Sequence, residues 1–106
     1  MNAEPEIALL TAQFDAKEGQ ESALAAVLAR YVVLTRREPN CRNVDLVTST
    51  IHPGRFLVVE KWEGDDEARA HLDTELMAGM AHDAVPLLEQ QPMLDLYETI
   101  SAHDLY

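Results

Sequence analysis

The chain has 106 residues, 47% of them hydrophobic, and sets 19 acidic against eight basic side chains for a formal charge of -11. That surplus repels phosphate backbones and anionic lipid headgroups instead of displacing their counterions, so nucleic acids and membrane surfaces are poor partners. A lone cysteine, Cys41, excludes an internal disulfide and leaves no Cys pair at metal-binding spacing.

One domain over residues 1–106, with a core of about 6–100, fits this length. A monomer of such size buries only roughly 60 to 70 per cent of its unfolded surface, which makes association worth looking for. The start, Met1-Asn2-Ala3-Glu4-Pro5-Glu6, carries acids where a signal peptide needs a basic segment. No apolar run approaches the ~18 residues of a membrane span. The expected location is therefore cytoplasmic.

Ile7 to Phe14 is a short β-compatible run, predicted as the first strand. From Gly19 to Arg37, apolar residues at Leu24, Val27, Leu28, Tyr31, Val32 and Leu34 form the stripe of an amphipathic helix. Glu18 and Glu21 open it, Arg30, Arg36 and Arg37 close it with the sign each end of the macrodipole favours, and Pro39 stops it. Val44 to Ile51 alternates, His52-Pro53-Gly54 turns, and Arg55 to Trp62 returns, which together predict a hairpin. Gly64-Asp65-Asp66-Glu67 opens a short helix carrying His71, and Asp73-Thr74 opens another at about residue 75, which Pro86 ends or kinks. Pro92 to Ile100 supplies the last strand.

The order is βαββαβ, which suits an α+β, ferredoxin-like fold: a four-stranded antiparallel sheet with its helices on one face. In the third strand Phe56 and Val58 alternate with Leu57 and Val59, and in the first Ile7 and Leu9 stand opposite Ala8 and Leu10. Both faces of the sheet are thus apolar, and a second sheet packed against the free face would bury it, giving a homodimer.

Phosphate-binding loops, dinucleotide fingerprints, nucleophile elbows and HExxH motifs are all absent from the sequence. The four histidines, His52, His71, His82 and His103, lack the spacing that pairs two imidazoles on a helix face, so no metal site is expected. His71 lies on the side of its helix that packs toward the sheet. It reads either as a proton carrier or as a structural histidine bonded to a backbone carbonyl. Trp62 closes its strand on the same face as Phe56, Val58 and Glu60, where it lines a cavity or simply fills the core. Glu60, between apolar neighbours, needs a partner such as Arg55, Arg42 or a backbone amide, and is assigned a structural or dimer-interface role. Tyr31 and Gln13 are candidate polar groups of the same cavity, and Cys41 is a small packing residue.

Three motifs stand in register on these elements: Arg37-Glu38-Pro39-Asn40-Cys41 at the helix end, Phe56-Leu57-Val58-Val59-Glu60-Lys61-Trp62-Glu63 on the third strand, and Ala70-His71-Leu72 after it. Together they resemble the antibiotic biosynthesis monooxygenase family, in which a helix ends in Glu-Pro-Gly-Cys, a strand reads Phe-x-x-x-Glu-x-Trp, and Ala-His-Leu follows. The resemblance spans roughly residues 6–100. It implies a dimeric α+β barrel of two ferredoxin-like subunits joined through their sheets. It also implies oxygenation of a small phenol or quinol by molecular oxygen without flavin, haem or metal. Under that resemblance His71 is the base or proton relay, Trp62 a wall that orients the ring, and Gln13 or Tyr31 a hydrogen-bond partner, with Val58 and Phe56 lining the pocket.

The sequence departs from the family pattern in places. Asn40 stands where the family has Gly, a residue type that tolerates a left-handed backbone. Glu75 stands where quinol monooxygenases often carry a second His, and Val58 and Ala68 replace the polar residues of the polyketide-tailoring branch. Gln13 and His82 only approach the positions used by the haem-degrading branch, which makes haem binding the minor option. The principal alternative is a non-catalytic dimer of the same fold that binds a small apolar ligand.

Overall fold

The structure is a computed structural model that describes residues 7–100. Strand β1 (Ala8–Asp15) is followed by α1 (Glu21–Thr35), β2 (Cys41–Thr48), β3 (Arg55–Trp62), α2 (Asp65–Leu72), α3 (Glu75–Ala84), a 3-10 turn (Val85–Leu87) and β4 (Met93–Glu98). The strands form one antiparallel sheet in the order β2-β3-β1-β4. This is the α+β, ferredoxin-like arrangement expected from the βαββαβ pattern. Among the described residues no helix is long and apolar enough to cross a membrane.

Local chemistry sets each boundary. Gly19 takes a φ of 86°, a conformation open to glycine, so α1 starts at Glu21 and not at Gly19. Buried Leu24, Leu28, Tyr31, Val32 and Thr35 form its inner stripe. Its end tightens as the amides of Arg37 and Glu38 donate to the carbonyls of Leu34 and Thr35, and Pro39 bars a further turn. The Asn40 turn needs no left-handed residue, because among the described residues positive φ occurs only at Gly19 and Gly54. Instead the Cys41 amide donates to the Glu38 carbonyl, which starts β2 three residues ahead of the predicted Val44. Arg36 then donates twice to the Val44 carbonyl, at 2.7 and 3.2 Å, and ties the end of α1 to the sheet.

In α3, Thr74 caps the first turn by accepting from the Met77 amide at 3.2 Å, and its hydroxyl donates to the His71 carbonyl at 2.7 Å. One side chain thus fixes the joint between α2 and α3. His71 and Glu75 fall on different helices, as the Asp73-Thr74 break implies. α3 stops at Ala84, and Pro86 sits in the following 3-10 turn.

Register decides which face each residue serves. Ala8, Leu10, Ala12 and Phe14 of β1 are buried under the helices, as are Val58, Glu60 and Trp62 of β3. The main core joins Phe14, Leu24, Leu28, Tyr31, Val44, Val58, Met77 and Met80, and a smaller cluster joins Ala8, Leu10, Trp62 and Ala68 at the end of β3. The opposite face carries Leu9, Thr11 and Gln13 beside Leu57 and Val59, with Val47 and Met93 on the flanking strands. Val47, Met93 and Tyr97 are 48%, 61% and 48% exposed, so among the described residues nothing covers this face.

Candidate active site

Where the small core cluster meets the large one, four polar side chains come together in the interior. β3 supplies Glu60 and Trp62, two residues apart and hence on one face. The third turn of α1 supplies Tyr31, and the last turn of α2 supplies His71. All four are no more than 2% exposed. The Tyr31 hydroxyl lies 2.6 Å from Glu60 Oε2 and 2.6 Å from His71 Nε2. Trp62 Nε1 donates to Glu60 Oε1 at 2.9 Å, and the indole stacks on the imidazole with centroids 4.6 Å apart. Glu38, just beyond α1, completes the group: its Oε2 lies 2.8 Å from His71 Nδ1.

Burying a carboxylate among apolar groups costs several kcal/mol unless other groups satisfy it. Here Tyr31 and Trp62 each satisfy one oxygen of Glu60. Burial still pushes the Glu60 carboxyl above the ordinary glutamate range, opposed by the Tyr31 hydrogen bond and by charge on His71. Burial, and then the neighbouring Glu60 charge, likewise push the Tyr31 phenol far above its usual value. A tyrosinate at this position is ruled out near neutral pH.

The two short contacts of the Tyr31 hydroxyl constrain where hydrogens sit. A hydroxyl has one hydrogen and donates it once, so one contact must be filled from the partner's side. Either Glu60 is protonated and donates to Tyr31, which donates to His71, or His71 carries hydrogen on Nε2 and donates to Tyr31, which donates to Glu60. Both arrangements hold the same number of protons and differ by a shift of two hydrogens along the chain. Glu60, Tyr31 and His71 therefore share one mobile proton.

Of the residues anticipated for a pocket, Tyr31, Trp62 and His71 meet here. Val58 is fully buried and Phe56 half-buried in the main core, one and two residue pairs down the strand from Glu60. Gln13 does not join them. It sits on the uncovered face, opposite Leu57 and Met93, with its amide on the Met93 sulfur. His82 is exposed on α3 beside Asp83, so Gln13 and His82 belong to opposite sides of the molecule.

Glu60 corrects a second expectation. Its partners are Tyr31 and Trp62, not an arginine, and it faces the helices, not the free face. Arg55 instead pairs with Asp15 at 2.8 Å, because both stand at the far end of the β1–β3 ladder. The His71 ring is held by side chains, not by a backbone carbonyl. Glu38 was visible only as part of the helix-end motif. Burial pushes the half-buried Cys41 thiol up to about 11, which suits packing and not reactivity.

Two clefts flank the group. One of about 250 Å³ is lined by Glu38, Pro39, Asn40, Trp62, Asp66, Glu67, Ala70, His71 and Thr74. The other, about 370 Å³ between α1 and α3, is lined among others by Val27, Tyr31, Leu34, Leu76 and Met80. Among the described residues no group of three or more His, Cys, Asp or Glu side chains is placed to hold a metal ion.

The fold and this buried group define a small α+β domain with a polar interior network beside two clefts, and sequence comparison places it in a family. The family model of antibiotic biosynthesis monooxygenases matches residues 7–83. The chain belongs to the antibiotic biosynthesis monooxygenase family. Among solved structures, a protein from Mycobacterium tuberculosis is 20% identical with a TM-score of 0.84, covering 92% of this chain and 99% of its own. A protein from Shewanella oneidensis is 27% identical with a TM-score of 0.81, the match covering 90% of this chain and 92% of the other. A structure described as an antibiotic biosynthesis monooxygenase is 22% identical with a TM-score of 0.79, covering 88% and 98%. Among proteins of curated function, none matches this chain.

Proposed function

We propose that this protein is a cofactor-independent monooxygenase that oxidises a small phenol or quinol with molecular oxygen. The observation that carries this reading is the buried Glu60–Tyr31–His71 unit, which shares a mobile proton beside a cleft walled by Trp62. Removing a phenolic proton makes an electron-rich anion that reacts with oxygen, and the protein's task is to hold the ring and manage that proton. The reaction balances without an external reductant. A phenol loses its O–H hydrogen and one ring hydrogen and gains one oxygen to become a quinone, while the second oxygen atom leaves as water. His71 is the proposed proton carrier, Trp62 positions the substrate in this cleft, and Tyr31 acts from behind by holding His71. The cleft also carries Asp66 and Glu67, whose charges disfavour anionic ligands, so the substrate arrives as the neutral phenol.

The working form is a homodimer joined through the uncovered sheet face, where exposed Val47, Met93 and Tyr97 lie around Leu57 and Val59. Oxygen uptake by the metal-free protein, measured with hydroquinones and anthrols against autoxidation blanks, tests the activity. Uptake above blank that falls about a hundredfold in His71→Ala supports the reading. Absence of uptake across the panel rejects it. One feature favours the alternative of a non-catalytic ligand-binding dimer: both His71 ring nitrogens already face protein groups, Tyr31 and Glu38, leaving neither free for a substrate. Tight binding of a phenol without turnover would select that alternative.

A further inference from the structure

The buried unit is sealed on nearly every side. Glu60, Tyr31 and Trp62 each meet the His71 ring and each is at most 2% exposed. Glu38 differs: its side chain is 28% exposed, while that of His71 is wholly buried. Its Oε2 and His71 Nδ1 are both buried and lie 2.8 Å apart, yet neither has a well-aligned hydrogen-bond partner. Two lone pairs at that distance would repel, so a hydrogen sits between them on a bent path. Glu38 also lines the cleft in its own right.

We infer that Glu38 is the outer end of a proton relay running Glu60–Tyr31–His71–Glu38, and that protons pass between the cleft and the buried unit through its carboxylate. When the shared proton is on Nε2, the ring holds hydrogen on both nitrogens. Nδ1 then gives its hydrogen to Glu38, leaving a neutral ring, and the carboxylic acid so formed releases the proton to the cleft, a transient state that ends when the carboxylate takes up the next proton and a hydrogen again lies between the two groups. Uptake runs the same steps in reverse. Only O–H and N–H bonds change, so no oxidant or reductant takes part. The relay gives His71 access to a substrate that its occupied nitrogens would otherwise deny. It rests on the proposed oxygenation for its purpose, but the path is measurable without turnover.

The test is solvent exchange of the His71 ring hydrogens, followed by NMR on the full chain labelled with 15N-histidine. Glu38→Gln keeps the size and removes the proton-carrying group; exchange is expected to slow several-fold. Glu38→Asp retains a carboxylate and should recover much of the wild-type rate, and it serves as the second variant should Glu38→Gln not fold. A merely structural Glu38 predicts the opposite sign, since a loosened cover admits water, so unchanged or faster exchange in Glu38→Gln overturns the relay. If the variants behave as expected but the wild-type protein consumes no oxygen, the relay stands and the oxygenation falls. Oxygen uptake with exchange indifferent to Glu38 removes the relay alone.

Discussion

Replacing Tyr31 by Phe removes one oxygen and leaves the ring in place, so its cost reports on the polar network more than on the core. Two contacts of 2.6 Å disappear, and Glu60 Oε2 and His71 Nε2 lose the hydroxyl that joins them in a site almost closed to solvent. Each buried polar atom left without a partner costs about 1–3 kcal/mol, and partial relaxation of Glu60 toward His71 Nε2, now 3.6 Å from Oε1, recovers some of it. A net loss of about 2–4 kcal/mol is expected, which for a domain of this length lowers the melting temperature by roughly 10–20 °C. Differential scanning calorimetry at matched protein concentration measures it directly. A Tyr31→Phe protein melting within a degree or two of wild type would mean that the hydroxyl is not bridging Glu60 and His71, and the shared-proton argument would fall with it.

Burial raises the folded-state Glu60 pKa above its unfolded value, so its contribution is complete at low pH and is lost as pH rises from the ordinary glutamate range through the raised value. Urea unfolding across that window should show wild type losing stability relative to Glu60→Gln as pH increases; a pH-independent difference would contradict it. Asp15 has the opposite sign, because the Arg55 hydrogen bond holds its pKa down, and the stability it provides is lost as pH falls through that lowered value. Asp15→Asn should therefore show its deficit shrinking under acid. Thr74→Ala removes the cap of α3 and the bond to the His71 carbonyl, costing about 1–2 kcal/mol in chemical denaturation. Because it also frees the α2–α3 joint, amide exchange around His71 should quicken. Sedimentation is expected to give twice the chain mass at micromolar concentration, and Val59→Glu, on the centre of the uncovered face, should yield monomers with an unchanged helical signal.

Periodicity made most of the fold legible. Period-two alternation through Phe56, Val58, Glu60 and Trp62 put Glu60 on one face with Trp62, which the dimer-interface role assigned to Glu60 overlooked, and helical spacing through Leu24, Leu28 and Tyr31 turned Tyr31 inward. Gly54, Pro39, Thr74 and Pro86 marked the turns, because each acts through its own backbone or side chain on immediate neighbours, while Gly19, read as the helix start, lies before it with a positive φ. Asn40 misled because residue type states what a turn tolerates, while the Glu38–Cys41 hydrogen bond decides which turn forms.

The site divided differently. His71 and Trp62 were evident from their motifs, and each sits on an element whose face local pattern predicts. That Tyr31 bridges Glu60 to His71 and that Glu38 reaches Nδ1 depends on how α1 and α2 pack on β3 and on where α1 ends against β2, whereas the outward face of Gln13 follows from its alternation with buried Ala12 and Phe14, which its assignment to the cavity overlooked. Those distances join residues 11 to 40 positions apart, and nothing in local sequence encodes them. The sequence alone determined which side chains face inward; tertiary packing decided which of them touch, and proton sharing follows from touch, since it vanishes once donor and acceptor part by more than a hydrogen-bond length.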